Sequence, residues 1–321
     1  MIISTGEFMK KLLFVFNPNS GKAQLKNKLM QIVQIFSEGG YDVTVYPTKA
    51  AMDGYNYIIE NGLSHDVIVC SGGDGTLNET ITGIIEQESR PVGAVLHLDE
   101  RIPIGYIPSG TTNDFARSLG IPKDMIEAAK VIVKGRIFNC DIGMVDGQRS
   151  FNYVAAFGAF TEVSYNTPQQ LKNVLGHQAY IIEAAKQFMT LKPCYVRVKS
   201  DIKNVEGNFV YGMVSNTKSV GGMKFLVGGS TDLQDGLFEV TLIREIKNPM
   251  DLQQLVNAFM TQKFDESDMV CSFKTNHVEF ESPNEIAWTL DGEFGGSLKK
   301  TVFDVMPKAV DFIVRGKKKK S

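Results

Sequence analysis

The chain has 321 residues, of which 43% are hydrophobic and 22% charged, as is typical of a globular protein with room for two domains. A formal net charge of −2 argues against a general nucleic-acid-binding protein. The four cysteines and four histidines show no metal-ligand spacing, which argues against a zinc enzyme and for a reducing compartment. No apolar run approaches the roughly 18 residues of a membrane span, and no signal peptide is apparent, so we expect a cytoplasmic protein.

The first third of the chain alternates between predicted strands and helices. Residues 1–8 do not fit this pattern, and we treat them as an extension or a cloning remnant ahead of Met9. Leu12–Phe16 is an apolar strand that ends in the turn Asn17–Lys22, and helical periodicity follows as far as Gly39. This alternation predicts a doubly wound, mostly parallel sheet, in which ligands bind at the carboxyl ends of the strands.

A glycine-rich turn follows the next strong apolar run. Val67–Cys70 leads into three glycines that surround Asp74, and helical periodicity resumes at Leu77. Glycines let the backbone approach a ligand closely, and the first amides of a helix suit a phosphate. A carboxylate beside phosphates repels them unless a cation lies between, so Asp74 indicates Mg²⁺. A turn with a purely structural role is the alternative.

A second strand and turn of the same kind lie downstream. Ile102–Ile107 is an apolar strand, and Pro108–Arg117 combines small hydroxylated residues with Gly110 and Asp114. Asp114 alone would fit a helix cap. With Asp74 at a neighbouring strand end, we expect the two aspartates to share metal or nucleotide binding.

The pattern changes after about residue 140, where β-type runs separated by Asp-Gly and Glu-Gly turns predict an antiparallel β-sandwich. Two helices, about Val174–Leu191 and Met250–Met260, interrupt these runs. Thr231–Leu237 offers two carboxylates and a carbonyl, which either suit Mg²⁺ or Ca²⁺ or form only an Asp-Gly turn. Leu290–Glu293 ends the strand that carries the only tryptophan, and by itself it is typical of a turn.

Three motifs occur in an order that resembles the soluble bacterial lipid kinases related to diacylglycerol kinase. They are Asn17–Lys22, Ser71–Glu79 and Pro108–Arg117, and weaker matches continue as far as Glu293. A Gly-Gly-Asp-Gly-Thr turn alone is shared with NAD kinases and phosphofructokinases. The ordered set is far more specific to the lipid kinases.

The resemblance implies a two-domain fold and a reaction. Residues 9–140, joined by about 302–316, would form the ATP-binding α/β domain, and residues 141–301 the antiparallel β-sandwich domain that holds the lipid substrate. The γ-phosphate of ATP would pass to a lipid hydroxyl, with Mg²⁺ as cofactor and diacylglycerol as the leading substrate. Such a substrate implies peripheral contact with the inner face of the membrane, which the basic tail Arg315–Lys320 would assist.

The resemblance also assigns roles to individual residues. The ATP-binding residues would be Asn17, Ser20, Gly21, Gly72, Gly73, Gly75, Thr76, Glu79, Gly110, Thr111, Asn113 and Asp114. The catalytic residues would be Asp74, Lys22, Asp291 and Glu293. Asp74 and Asp114 would hold the catalytic Mg²⁺; Asp232, Asp235 and the Leu237 carbonyl would hold a structural Mg²⁺; and Asp141 would link the two sites through water.

Several alternatives stay open. A lipid hydroxyl needs a proton acceptor, for which Asp291 is the candidate and Asp74 the rival. Monoacylglycerol, sphingoid bases and polyprenols present the same hydroxyl, and a kinase of NAD or a non-catalytic nucleotide-binding regulator would be different functions. Thr112 stands where the family commonly has glycine. The segment Val92–Ile102 is longer than usual and could form an extra strand or a homodimer contact.

Overall fold

The structure is a computed structural model that describes residues 9–89, 101–111, 113–158, 179, 181–220 and 231–316, without the side chains of residues 22–24, 88 and 89. Four sequence-based expectations lie outside these residues: the extension at residues 1–8, nearly all of the 92–102 segment, Thr112, and the lysines of the tail. Among the helices that the structure describes, none combines the length and apolar character that a membrane crossing requires.

The chain divides into two compact units. Unit one contains the chain up to Cys140 and from Ala309 onward, and unit two contains Asp141–Lys308. The chain passes from unit one to unit two within strand β5 (Arg136–Val145) and returns within strand β13 (Glu293–Val314).

Unit one contains a parallel sheet with helices between its strands. The strands in chain order are β1 (Lys10–Phe16), β2 (Tyr41–Pro47), β3 (Val67–Gly72) and β4 (Ile104–Pro108). They pair in the order β2-β1-β3-β4, with the end of β13 beside β4, and these pairings are all parallel. β3 and β4 are buried along their whole length, as central parallel strands must be, whereas β2 at the edge is half-exposed.

In the described part of unit one, five helices lie between strands. They are α1 (Leu29–Glu38), α2 (Asp53–Asn61), α3 (Asp74–Ser89), α4 (Asp114–Ser118) and α5 (Met125–Lys134), with a 3-10 helix at Ser20–Asn27. α1 packs against α5, and α2 packs against α3. Asp124 caps α5 by accepting hydrogen bonds from the amides of Ile126 and Glu127. Helices α3 and α4 begin directly after the turns that follow β3 and β4, so both turns lead into helix N-termini.

Unit two is antiparallel. Its remaining strands are β6 (Arg149–Phe151), β7 (Val154–Phe157), β8 (Cys194–Lys199), β9 (Val205–Ser215), β10 (Phe238–Arg244), β11 (Val270–Thr275) and β12 (His277–Leu290). They run in the order β11-β10-β9-β7-β12-β13, with β8 beside β9 and β12, and β6 beside β5. Two helices, α6 (residues 181–188) and α7 (Pro249–Thr261), lie between strands in the chain. The predicted fold class, a parallel α/β unit followed by an antiparallel β unit, is confirmed.

An aromatic cluster forms the core of unit two. The ring of Trp288 lies 5.1 Å from Phe157, 5.0 Å from Phe280 and 4.7 Å from Phe303, measured between ring centroids in tilted or edge-on contacts. Such edge-on arrangements suit the ring quadrupoles. Trp288 is 2% exposed, so the only tryptophan of the chain is a core residue of this unit.

Two strand boundaries differ from the sequence-based expectation. The sequence predicts one strand over Arg149–Phe157, but the chain bends at Asn152 and Tyr153 between β6 and β7. Conversely, the sequence predicts separate strands at His277–Ser282 and Glu285–Leu290, which β12 joins with a register irregularity between Glu281 and Ile286 that accommodates Pro283.

Candidate functional site

Three turns of unit one meet at the carboxyl ends of β1, β3 and β4. The amide of Asn17 donates to the Ser71 carbonyl at 2.9 Å, which joins the first turn to the second. The Gly72 carbonyl accepts hydrogen bonds from the Ser109 amide (2.9 Å), the Gly110 amide (3.2 Å) and the Tyr106 hydroxyl (3.2 Å). The second and third turns are therefore held together by backbone groups.

Glycine is required where these turns touch. A Cβ atom at Gly110 would lie 2.6 Å from the Cα of Gly73, and one at Gly21 would lie 1.7 Å from the Ser109 carbonyl oxygen. Gly21 also has a φ of +57°, a conformation that glycine adopts without strain. The three predicted ATP-binding turns thus form one continuous surface of closely packed backbone, which we call the glycine wall.

The glycine wall carries polar groups suited to phosphates. Helix α3 begins at Asp74, so the first amides and the positive dipole end of this helix lie at the second turn. The hydroxyls of Ser71 and Ser109 are buried and have no hydrogen-bond partner among the described residues. Burial, and secondarily the Asp74 carboxylate, raise the pKa of Tyr106 well above its ordinary value, so its hydroxyl stays a proton donor to Gly72. These features fit a bound nucleotide phosphate.

Asn113 shapes the third turn. Its side-chain oxygen accepts a hydrogen bond from the Gly110 amide at 3.1 Å, and its Nδ2 donates to the Gly110 carbonyl at 2.7 Å. Asn113 has a φ of +49°, a left-handed conformation that asparagine tolerates better than most residues. Asp114 then opens α4, where it is 1% exposed and its Oδ1 lies 3.5 Å from Arg117 Nη1. The carboxylates of Asp74 and Asp114 are the hard oxygen donors that Mg²⁺ prefers.

The remaining predicted site residues of unit one lie in or near the same three turns, except Glu79. Ser20 donates its amide to the Asn17 carbonyl at 3.2 Å and so belongs to the first turn. Gly75 and Thr76 lie in the first turn of α3, and Thr111 follows Gly110 in the third turn. The Glu79 carboxylate accepts a hydrogen bond from the Met52 amide at 2.8 Å, which places it at the start of α2. The side chain of Lys22 lies outside the described residues.

In unit two, Asp291 is a hairpin residue with a firmly held carboxylate. Asp291 and Gly292 form the two-residue connection between β12 and β13, with φ values of +50° and +91°. The carboxylate accepts hydrogen bonds from three consecutive amides: Asn152 (2.6 Å), Tyr153 (3.0 Å) and Val154 (3.1 Å). This is the reason for the bend between β6 and β7. Glu293, the next predicted residue, is exposed at the start of β13.

Asp141 anchors the predicted structural-metal turn. It is fully buried, and its carboxylate accepts hydrogen bonds from the Gly236 amide and the Lys308 amide, both at 2.7 Å. Its own amide donates to the Leu233 carbonyl at 2.9 Å. Asp141 therefore holds the Asp232–Leu237 turn directly through backbone groups.

The turn itself offers oxygen donors. The side chains of Asp232 and Asp235 accept hydrogen bonds from the Gln234 and Leu237 amides, both at 3.1 Å, so both carboxylates are oriented by the turn. Among the described residues, no three His, Cys, Asp or Glu side chains converge on one point. A cation here would therefore rely on two carboxylates and the Leu237 carbonyl, a donor set that suits Mg²⁺ when water completes it.

Glu239 is a residue at this turn that the sequence did not single out. It is 3% exposed, its Oε2 has no hydrogen-bond partner among the described residues, and burial raises its pKa to about 7. Lys274 Nζ lies 3.1 Å from the other oxygen of Glu239 and 3.0 Å from Asp235 Oδ2. Lys274 therefore pairs with both the Glu239 and the Asp235 carboxylates, and it would compete with a cation for Asp235.

Two buried amides were also missed. Both side-chain polar atoms of Asn152 and the Oδ1 of Asn216 are buried without a hydrogen-bond partner in the described part of the chain. Asn152 directly follows β6, of which only Phe151 is buried, and Asn216 directly follows β9, so the signal in the sequence is an amide just after a strand. Unsatisfied buried amides are costly and mark places where water or a ligand group is expected.

Comparisons with known proteins agree with this arrangement. Residues 11–145 match the family model of the diacylglycerol kinase catalytic domain, and residues 155–314 match the model of the YegS C-terminal NAD kinase beta sandwich-like domain. The second match confirms the predicted sandwich. A diacylglycerol kinase of Bacillus subtilis (strain 168) is 33% identical over 94% of this chain and 97% of its own length. One from Staphylococcus aureus (strain MRSA252) is 32% identical over 90% of this chain and 88% of its own.

Solved structures share the whole fold. A Bacillus anthracis str. Sterne structure superposes with a TM-score of 0.76 at 25% identity and covers 98% of this chain and 99% of its own. A diacylglycerol kinase structure from the same organism gives a TM-score of 0.72 at 22% identity and covers 95% and 97% of the two chains. Together with the glycine wall, these relationships show that the chain belongs to the diacylglycerol kinase family and is a phosphotransferase with an alcohol acceptor.

Proposed function

We propose that this protein transfers the γ-phosphate of ATP to the hydroxyl of diacylglycerol in a membrane and releases phosphatidic acid. The observation that carries this proposal is the glycine wall, in which three closely packed turns and the N-terminus of α3 lie together at one edge of the parallel sheet. Phosphoryl transfer requires positioning and charge neutralisation more than covalent chemistry, and this surface supplies both.

The residues of the glycine wall have distinct tasks in this reaction. The first amides of α3, directly after Gly72 and Gly73, orient the phosphates, and the Ser71 and Ser109 hydroxyls complete the polar lining. The carboxylates of Asp74 and Asp114 are the groups that would hold Mg²⁺, which supplies positive charge against the phosphate oxygens when bound. Lys22 would add a further positive charge.

Asp291 is our assignment for the residue that accepts the hydroxyl proton. A carboxylate in this role contributes about 10²–10⁴-fold to the rate. Three backbone amides fix the orientation of the Asp291 carboxylate, as a positioned base requires. Glu293 follows in the same hairpin and adds negative charge. Asp74 is the rival assignment.

We assign a structural role to a second Mg²⁺ at the Asp232–Leu237 turn. The two aspartates that the turn orients support this assignment. Because Asp141 binds the turn through Gly236 and also binds Lys308, order in the turn would extend to the strand that follows the hairpin of Asp291.

A kinase of NAD is the second candidate, since the matching C-terminal family model is described as NAD kinase sandwich-like. Other lipids with a hydroxyl on a hydrocarbon are further candidates within the same reaction class. We expect purified protein with labelled ATP and Mg²⁺ to phosphorylate diacylglycerol in mixed micelles faster than monoacylglycerol, sphingosine or a polyprenol. Label on NAD would support the second candidate instead, and label on none of these acceptors would contradict both.

Gly110→Ala should weaken ATP binding by about tenfold, which corresponds to about 1.4 kcal/mol. The new Cβ would lie 2.6 Å from backbone of Gly73 and push the second and third turns apart. Calorimetric titration with ATP measures this loss. Gly316→Ala is the matched control, because a Cβ there meets nothing within 4 Å. Equal ATP affinity of the two variants would argue against the glycine wall as the phosphate site.

Asp291→Asn should lower turnover by about 10²-fold or more while ATP affinity stays close to that of the wild type. Asparagine suits the left-handed turn conformation and keeps the side-chain volume, but its amide nitrogen cannot accept a hydrogen bond from the backbone amides of Asn152–Val154, so the melting temperature should fall as well. Asp146→Asn is the matched control: Asp146 also precedes a glycine, has a φ of +50°, and accepts the Val302 amide. Normal turnover of Asp291→Asn would shift the assignment to Asp74.

Mg²⁺ should raise the melting temperature of the wild-type protein relative to protein in chelator, by about 2–4 °C per kcal/mol of binding. Asp232→Asn should lose this increase because one ligand is weakened. Lys274→Met should enlarge it, because the ammonium group no longer competes for Asp235 Oδ2 at 3.0 Å. Thermal unfolding without ATP or lipid separates this effect from activity. Identical increases in all three proteins would rule out a metal at this turn.

A further inference from the structure

An exposed aromatic side chain lies three residues beyond Asp291. Phe294 is 69% exposed, the most exposed aromatic side chain among the residues that the structure describes. It belongs to the segment of β13 that pairs with β12. Exposure of a phenylalanine ring to water is unfavourable compared with its burial. The local strand register explains why this ring is exposed.

A β-bulge turns Phe294 away from the core. Trp288 pairs with Gly296, but Thr289 pairs with Phe294, so Gly295 is an extra residue in β13. Without that residue Phe294 would oppose Leu290, on the face where Trp288 is buried. Because side chains alternate along a strand, one additional residue moves the ring to the other face.

The bulge is fixed by specific contacts. A Cβ at Gly295 would lie 2.8 Å from Leu290 Cγ and 3.2 Å from the Trp288 carbonyl oxygen, so only glycine fits there without displacement. Gly296 has a φ of +113°. Arg149 Nη1 donates to the Gly295 carbonyl at 2.9 Å, so this exposed arginine binds the bulge itself.

We propose that the Phe294 tip, defined as Phe294 with Arg149, inserts into the surface of an anionic lipid bilayer. An exposed aromatic ring on the bulge that an arginine binds suits the interface between acyl chains and anionic head groups. Glu293, which precedes Phe294, is exposed and acidic. The inference rests on the proposed function. An enzyme whose lipid substrate stays in a membrane must bring its proton-accepting residue to the membrane surface.

A second copy of the chain is a poorer occupant of this surface. One phenylalanine buries about 150–250 Å², whereas a stable protein–protein interface buries roughly 1,200–2,000 Å². A bilayer accepts a single ring without needing a complementary surface. The position of the tip in the same hairpin as Asp291 also favours the lipid, since docking there brings the proposed base to the membrane plane.

Vesicle binding tests the tip directly. In sedimentation with phosphatidylcholine–phosphatidylglycerol vesicles and no ATP, Phe294→Ala should bind about tenfold more weakly than the wild type, which corresponds to about 1.4 kcal/mol. Ile202→Ala is the matched control, because Ile202 is 67% exposed in the connection between β8 and β9. Phe294→Trp should bind like the wild type, and its emission should shift to the blue over the constant signal of the buried Trp288.

Assays with a water-soluble and a vesicle-borne diacylglycerol separate membrane docking from catalysis. On a water-soluble, short-chain diacylglycerol below its micelle concentration, Phe294→Ala should keep the wild-type kcat/KM. On vesicle-borne diacylglycerol its kcat/KM should fall about tenfold. Wild-type vesicle binding by Phe294→Ala would overturn the inference, as would loss of self-association in light scattering with vesicle binding unchanged. If the wild type phosphorylates no lipid, the proposed function fails, and the ATP-free binding comparison still decides the docking surface.

Discussion

The Gly72 carbonyl is the point on which the candidate nucleotide site depends. This single oxygen accepts hydrogen bonds from two amides of the third turn and from the buried Tyr106 hydroxyl. With several donors at one acceptor, the turns after β3 and β4 cannot separate without leaving buried polar groups unsatisfied. The glycines then follow as a consequence, because side chains would prevent the backbones from approaching this closely.

In unit two, several aspartates bind backbone amides, including aspartates to which we assign a catalytic or metal-linked role. Asp141, Asp146 and Asp291 each accept hydrogen bonds from amides that are distant in the chain. A buried carboxylate bound by amides fixes both partners, because either group alone would be costly to bury. The loss of such a residue therefore perturbs the fold and the chemistry together, which is why asparagine variants are more informative than alanine variants.

The sequence predicted those parts of the protein that depend on interactions between residues close together in the chain. The turns at Asn17, Gly72 and Gly110 were recognisable because glycine and small polar residues break an apolar run within a few positions. The fold class followed from the change of periodicity after residue 140. The bend at Asn152 could not be found in this way, since it is caused by Asp291, and the role of Glu239 depends on Lys274 of the neighbouring strand.

Strand β13 is the longest strand in the described part of the chain, and from the sequence we expected only that about residues 302–316 join the ATP-binding domain. Its Gly295-Gly296 pair, its lysines and Pro307 each resemble an interruption, yet the strand continues through 22 residues. Register with β12 supplies the hydrogen bonds that its own composition does not predict. Long-range pairing of this kind is visible only once the partner strand is in place.

The end of β13 has a consequence for how the protein folds during synthesis. Phe312 pairs with Ile104 and packs edge-on against Phe115, so the parallel sheet of unit one gains its last strand only when the end of β13 has been made. Until then β4 has an open edge and Phe115 lacks this aromatic neighbour. Pairing between strands that are far apart in the chain slows folding. Until the end of β13 is made, the unpaired edge of β4 is prone to aggregation.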